Sequence, residues 1–315
     1  MQHLVASVGM MPPSTQTSEA LVILNTGSGK QQAGALVDRL RAVARAAGKP
    51  CSFWVAKGAK GIARAAATAN EGRYQRVIAA GGDGTLSAIA SALVGTGKEF
   101  AAVPLGTFNY FARETGLPLE PDAAFEYALQ GKARPVSIGE LNGKPFLNNA
   151  SVGLYPKVLE VREHTYRRFG RSRLAAYWSV LQVLARFNVN FAAELSMADA
   201  PPMRIRTPMI FVGRNAHQLE EFRLPGGECV DNDTLAAYVL PAAGRAALLA
   251  TATRLLMGKT RPGEDVRMFC AQELQVRLAG HRWTAAIDGE RVRVSSPLNL
   301  RIRRNALLAV VPENH

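Results

Sequence analysis

The sequence predicts an α/β half followed by a β-rich half, divided near residue 137. Three observations lead there. Short apolar runs alternate with alanine-rich stretches of helical period from residue 21 to about 135, and glycine-rich loops fall at the ends of those runs. Beyond about residue 137 the texture changes to strands separated by turn residues.

Residues 21–24 form the first strand candidate and lead into the loop Asn25-Thr26-Gly27-Ser28-Gly29-Lys30. A helix over 35–47 carries Leu36, Leu40, Val43 and Ala47 on one face and stops at Gly48. Residues 52–55 and 62–69 repeat the strand and the helix. The third strand, 76–80, ends in Gly81-Gly82-Asp83-Gly84-Thr85, and the helical pattern resumes over 86–94. A fourth strand at 101–104 has Leu105-Gly106-Thr107 at its carboxyl end, and Pro121 opens another helix at its first turn, closed at Gly131. In the second half, Asn142-Gly143 between 136–141 and 145–149 predicts a two-residue hairpin. Further strands fall at 209–212, 235–240, 273–278, 283–287 and 292–294, with helical stretches at about 171–187 and 243–257. The resulting division is a flexible leader over 1–18, an α/β domain over 19–136 and a β-rich domain over 137–299. The β-like segment from about 300 to 315 can return to either domain, the first included.

Hydrophobic residues make up 48% of the 315 residues and charged residues 20%, the balance of a chain that folds. Lysine and arginine number 38 against 25 acidic residues, a formal charge of +13 that favours nucleotide phosphates, nucleic acid or an anionic membrane face. No recognisable nucleic-acid motif accompanies it. Cys51, Cys229 and Cys270 are far apart and form no CxxC pair, which predicts neither a zinc site nor a disulfide framework and points to a cytoplasmic protein. The apolar stretches are too short and too often interrupted to span a bilayer.

The string at 81–85 is the most informative in the chain. Glycines between a strand and a helix let the backbone turn sharply and approach a phosphate with no Cβ in the way, at the strand end where open α/β sheets bind ligands. A glycine-rich turn with a capping aspartate is the plainer alternative. Asp83 is no simple phosphate contact, because like charges repel; it suits a proton acceptor or a ligand of phosphate-bound Mg2+. Asp288-Gly289, read alone, is a hairpin turn.

Gly81-Gly82-Asp83-Gly84-Thr85, followed by Pro104-Leu105-Gly106-Thr107, Asn109, Phe111-Ala112-Arg113 and later by Ile287-Asp288-Gly289-Glu290, resembles the diacylglycerol kinase catalytic-domain family. The family includes bacterial lipid kinases and sphingosine kinases. Asn149-Ala150-Ser151-Val152-Gly153 extends the likeness into the second half. The resemblance implies a parallel-sheet nucleotide-binding domain of the phosphofructokinase and NAD kinase type, followed by a β-sandwich domain. It also implies ATP and Mg2+ as cofactors and transfer of the γ-phosphoryl group to a lipid hydroxyl such as that of diacylglycerol. Carried over by position, Asn25, Thr26, Gly27, Ser28, Gly29, Gly81, Gly82, Asp83, Gly84, Thr85 and Thr107 line the nucleotide. Glu290 matches the family's proton acceptor, Asp288 assists it or binds the metal, and Asp83 is its rival for that role. Asp231 and Asp233 stand where the family's cation-binding turn would be, or form an ordinary Asx-rich turn.

The chain departs from the family at Phe108 and Tyr110 around Asn109, at Ser87 and Ala88 after the glycine string, and at Asn232. These departures keep two alternatives open, an NAD kinase-like enzyme and a catalytically degenerate nucleotide- or lipid-binding protein. The basic and aromatic segment 161–173, with Arg162, Arg167, Arg168, Arg171 and Arg173, fits peripheral docking at the inner membrane face or a solvated helix face. A homodimer is compatible with the sequence.

Overall fold

Strands buried on both faces need helices on both faces, and the N-terminal half is built that way. The computed structural model describes residues 20–25, 30–72, 74–169, 190–198, 200–257, 259, 261 and 263–313, the side chains at 30–33, 71, 162–169 and 256 excepted. The chain divides into two compact units, one reaching to Pro135 and resuming at Leu307, the other spanning Val136–Ala306. The expected leader and the expected helix at 171–187 lie outside the described residues.

In the first unit β1 (Ala20–Leu24), β2 (Cys51–Val55), β3 (Arg76–Gly81) and β4 (Glu99–Pro104) run parallel in the order β2-β1-β3-β4. The end of the last strand, β16 (Leu298–Val310), lies parallel beside β4 through Leu308 and Ala309. Val22, Leu24, Ile78, Ala80, Ala101 and Val103 pack against α1 (Lys30–Ala46) and α5 (Pro121–Gln130), which contribute Leu40 and Phe125. The alternate residues Leu21, Ile23, Val77, Ala79, Phe100 and Ala102 are equally buried, and α2 (Gly58–Glu71) and α3 (Asp83–Leu93) pack on β1, β3 and β4. Arg76 closes α5. Its guanidinium donates to the carbonyls of Ala128, Leu129 and Gly131 at 2.8–2.9 Å and pairs with Glu99 at 2.6 Å, a cation at the negative end of a helix.

The second unit is a β-sandwich. One sheet is antiparallel in the order β12-β11-β10-β7-β14-β15, made of β7 (Asn149–Gly153), β10 (Met209–Gly213), β11 (Leu235–Val239), β12 (Arg267–Ala271), β14 (Arg282–Ile287) and β15 (Glu290–Ser295). Facing it are the start of β16, β13 (Glu273–Leu278), β8 (Phe191–Met197) and β9 (Ala200–Thr207), with the hairpin of β5 (Ala133–Leu141) and β6 (Lys144–Phe146) beside β16. Val152, Ile210, Val212 and Ala285 from the first sheet meet Leu195, Leu274, Val276 and Leu300 from the second. The outer face of the six-stranded sheet is covered by helices. There α6 (Leu154–Phe169) meets α9 (Arg245–Met257) at Leu154, Val158 and Leu248, while α7 (Ala216–Glu221) and α8 (Gly227–Asp231) cover Phe211, Ala236 and Tyr238. No helix among the described residues is long and apolar enough to cross a membrane.

Two expectations are corrected. The strand predicted at 145–149 is broken into β6 and β7, because the carboxylate of Asp288 takes the amides of Leu147, Asn148 and Asn149 out of any strand ladder. No disulfide was expected, yet Cys229 on α8 and Cys270 on β12 are bridged, 41 residues apart in sequence with Cα atoms 5.4 Å apart. Ala236 of β11 is the cross-strand partner of Cys270, so the bridge ties the edge strand to the helix over its neighbour. Thiol labelling of the denatured chain with a maleimide should count one reactive cysteine, Cys51, before reduction and all three after. Three before reduction would exclude the bridge.

Asp265, which is 4% exposed, clasps α9. It accepts from Arg254 Nε at 2.8 Å, from a second nitrogen of that guanidinium, from the amide of Arg261 at 2.9 Å and from Thr251 Oγ1 at 3.3 Å. The Arg254 guanidinium holds the Asp265 carboxyl well below the usual carboxylate range. The stability this adds is complete above the unfolded value of about 4 and disappears as pH falls below it. Thermal melts of Asp265→Asn should show a lower Tm than wild type at pH 7 and a shrinking difference from pH 4 downwards; a constant difference would refute the clasp.

Candidate active site

The ends of β1, β3 and β4 are tied into one knot. The amide of Asn25 donates to Ala80 O at 2.8 Å, and its side-chain Nδ2 donates to the hydroxyl of Thr85 at 2.9 Å. Leu105 N donates to Gly81 O at 2.9 Å. Glycine is required at two of these positions by close approach. A Cβ on Gly81 would lie 2.7 Å from the Thr85 side chain, and one on Gly106 would lie 2.9 Å from Gly82 Cα. Gly84 is different: a Cβ there meets no atom within 4 Å, so nothing in the packing demands glycine in this first turn of α3. Thr107, next to Gly106 in the chain, is exposed, and Thr26, Gly27, Ser28 and Gly29 lie outside the described residues.

Asp83 is held by the backbone that follows β4. Its carboxylate accepts the amides of Asn109 at 3.0 Å and Tyr110 at 2.7 Å and so caps α4 (Tyr110–Glu114), a short helix that periodicity alone did not predict. Asn109 takes a left-handed conformation, φ 55°, and its Oδ1 accepts the amide of Gly106 at 2.9 Å.

The second unit repeats the device. Asp288 and Gly289, at φ 46° and 83°, form a two-residue turn between β14 and β15, with Ile287 opposite Glu290. Asp288 accepts from the amides of Leu147, Asn148 and Asn149 at 2.8, 2.8 and 3.0 Å and donates its own amide to Asn149 O at 2.9 Å. Behind that segment the buried side chains of Asn215 and Gln218 hold Asn148 and Asn149, with Asn215 Nδ2 on Asn148 Oδ1 at 3.2 Å and Asn149 Nδ2 on Gln218 Oε1 at 2.8 Å. Sequence reasoning passed over both, although Asn215-x-x-Gln218 is a capping-box pattern and Asn215 Oδ1 does accept the Gln218 amide at 2.9 Å. Glu290 opens β15 with its side chain exposed.

Asp233 accepts from Arg214 at 3.2 Å, Arg304 at 3.1 Å and Ser137 at 3.1 Å, so two guanidinium groups stand where a bound cation was expected. Asp231 is exposed, and the described residues contain no cluster of three or more His, Cys, Asp or Glu able to hold a metal.

A further cleft in this unit, of about 490 Å3, is lined by Lys157, Glu160, Phe191, Arg282, Trp283 and Arg291. The rings of Phe191 and Trp283 lie 5.1 Å apart, and Arg291 pairs with Glu160 at 3.3 Å.

A family model of the diacylglycerol kinase catalytic domain matches residues 19–141. Over that stretch the chain is similar to the diacylglycerol kinase catalytic domain. A Pseudomonas aeruginosa protein named "Probable lipid kinase YegS-like" is 52% identical over 87 residues, 27% of this chain and 28% of that protein. A Pseudomonas fluorescens protein of the same name is 40% identical over 148 residues, 44% of this chain and 46% of its own. The chain thus spans less than half the length of these relatives. Among solved structures, a diacylglycerol kinase from Bacillus anthracis superposes with a TM-score of 0.65 at 16% identity, over 95% of this chain and 99% of that one. An NAD kinase from Archaeoglobus fulgidus in complex with ATP gives 0.54 at 12% identity, over 94% of each chain. At such identities the likeness establishes the fold: an α/β unit of this kinase type followed by an antiparallel sandwich.

If Asp83 is the fastener of this unit, Asp83→Ala should cost about 1–3 kcal/mol in urea denaturation by stranding two backbone amides, and Asp83→Asn, which keeps a carbonyl acceptor, should cost less. Wild-type stability in both variants would return Asp83 to a purely catalytic reading.

Proposed function

We propose that this chain is an ATP-dependent lipid kinase that transfers the γ-phosphoryl group of ATP to a lipid hydroxyl such as that of diacylglycerol. The observation that carries the reading is Gly84: inside the matched family segment, the first turn of α3 is open where packing gives no reason for glycine. A glycine in that position leaves helix N-terminal amides approachable by phosphate oxygens. On this reading Asn25, Gly81, Gly82 and Thr85 shape the loop and Gly84 admits the phosphates, with Thr107 beside them. ATP enters as its magnesium complex, the metal arriving with the substrate. The Asp231–Asp233 turn does not fit as a resident cation site, because Arg214 and Arg304 already neutralise Asp233.

Asp288 is engaged by three backbone amides, which leaves Glu290 as the exposed acid of the turn. In the proposed step the Glu290 carboxylate takes the proton of the acceptor hydroxyl as that oxygen bonds to the γ-phosphorus, and the bond from the γ-phosphorus to the β,γ-bridging oxygen breaks to release ADP. Asp288 acts as a positioning residue. The cleft with Phe191 and Trp283 beside Lys157, Arg282 and Arg291 pairs apolar surface with positive charge, the combination suited to a lipid acceptor presented by an anionic membrane.

The test is ATP turnover on vesicles of diacylglycerol mixed with phosphatidylglycerol, with product mass analysis and NAD as the soluble comparison. Wild type should phosphorylate the lipid. Glu290→Gln should lose about 10²–10⁴-fold in kcat at unchanged Tm. Phosphorylation of NAD in place of lipid, or full turnover by Glu290→Gln, would overturn the assignment.

A further inference from the structure

Phe108 is 40% exposed, the only aromatic side chain among the large exposed apolar residues described. It is not loose. Its ring stacks on that of Tyr110 with centroids 5.3 Å apart and planes within 4° of parallel, and its carbonyl accepts Arg113 Nε at 3.0 Å. Tyr110 is buried, 7% exposed, and its amide is bonded to Asp83. Asn109 between the two rings is locked by its own amide on Asp83 and its Oδ1 on Gly106 N. One face of the Phe108 ring is therefore covered and the other is presented to solvent by the same knot that shapes the glycine loop.

That loop is close. Phe108 is two residues from Gly106, at most about 7 Å of chain, and Gly106 approaches Gly82 so tightly that a Cβ on it would lie 2.9 Å from Gly82 Cα. A flat, preorganised aromatic face next to an open helix N-terminus matches a ligand with a planar ring joined to phosphates. It does not match an acyl chain, which needs a continuous apolar groove. Phe108 is flanked instead by the exposed Thr107 and by Arg113. Base stacking on an aromatic ring is favourable for every base because each has a π-face, and a ring fixed beforehand loses little freedom on binding.

We propose that Phe108 is the nucleobase platform of this chain: the base of the nucleotide stacks on its open face while the phosphates meet the first turn of α3. The inference rests on the nucleotide-binding reading above and adds the residue that selects a nucleotide over a bare polyphosphate.

The test is isothermal titration of the full chain with magnesium ATP and, separately, with magnesium tripolyphosphate, which has the phosphates and no base. Phe108→Ala should weaken ATP about tenfold and leave tripolyphosphate within about twofold of wild type. Phe108→Trp should restore ATP binding, which a general loss of folding would not allow. Unchanged ATP affinity in Phe108→Ala, or equal weakening of both ligands, overturns the platform. If Phe108→Ala instead loses vesicle binding and keeps ATP, the residue belongs to a lipid-facing surface and the platform is likewise overturned. A wild-type chain that binds neither ligand overturns the kinase reading itself, so the two failures are told apart.

Discussion

The carboxylate of Asp83 on the amides of Asn109 and Tyr110 is the contact on which the carboxyl-end edge of the N-terminal unit's sheet depends. Two parallel strands, β3 and β4, end side by side, and each must turn into a helix. A Cβ on Gly106 would collide with the Gly82 backbone at the neighbouring strand end and one on Gly81 with the Thr85 side chain of the helix that follows, hence both glycines. Removing the Cβ atoms also removes rigidity, since glycine loses the most conformational freedom on folding. The aspartate restores it by fastening the second turn to the first, and Asn109 completes the closure from a left-handed conformation. The result is a loop pair that is tight inside and open at Gly84.

The second unit reaches the same end with different backbone. There the acid at a hairpin turn, Asp288, fastens a neighbouring segment by three amides. In both units the motif aspartate serves as a fastener, and the adjacent motif position, Gly84 or Glu290, is the one left accessible. Chemical type alone would rank Asp83, Asp288 and Glu290 as equals. Hydrogen bonding separates them, because a carboxylate that already accepts two or three backbone amides loses those bonds if it picks up a proton, and its protonation is disfavoured.

What was legible in the sequence was local. Apolar alternation located β1 to β4 and the helices between them, and the glycine strings marked their ends. The sequence reading placed the turn at Asp288-Gly289 and the sandwich texture beyond 137. The rest depended on partners distant in sequence. Asp83 meets its amides 26 and 27 residues away and Asp288 its own 139 to 141 residues away. Asp233 is neutralised from positions 19 and 71 residues off, and Cys229 finds Cys270 across 41. No periodicity encodes such pairings. The exception is Asn215-x-x-Gln218, whose capping pattern was readable and whose link to Asn148 and Asn149 was not.

The same separation bears on the charge of +13. A formal excess treats every arginine as available to a partner, yet several are already paired within the fold. Arg76 closes α5, Arg254 holds Asp265, Arg214 and Arg304 hold Asp233, and Arg301 and Arg303 pair at 2.8 and 3.1 Å with Glu140, a carboxylate only 4% exposed. Such buried carboxylates require a cation beside them, since an unpaired charge in the interior is costly. Positive charge of this kind is part of the fold and exerts little pull on a distant membrane. Attraction to an anionic surface falls off within a Debye length of about 8–10 Å, so only outward-facing groups contribute to it. Arg282 and Arg291 line a cleft with Trp283 and Phe191 and are exposed, although Arg291 is partly neutralised by Glu160. Where the positive charge lies, more than how much of it there is, bears on the lipid acceptor proposed above.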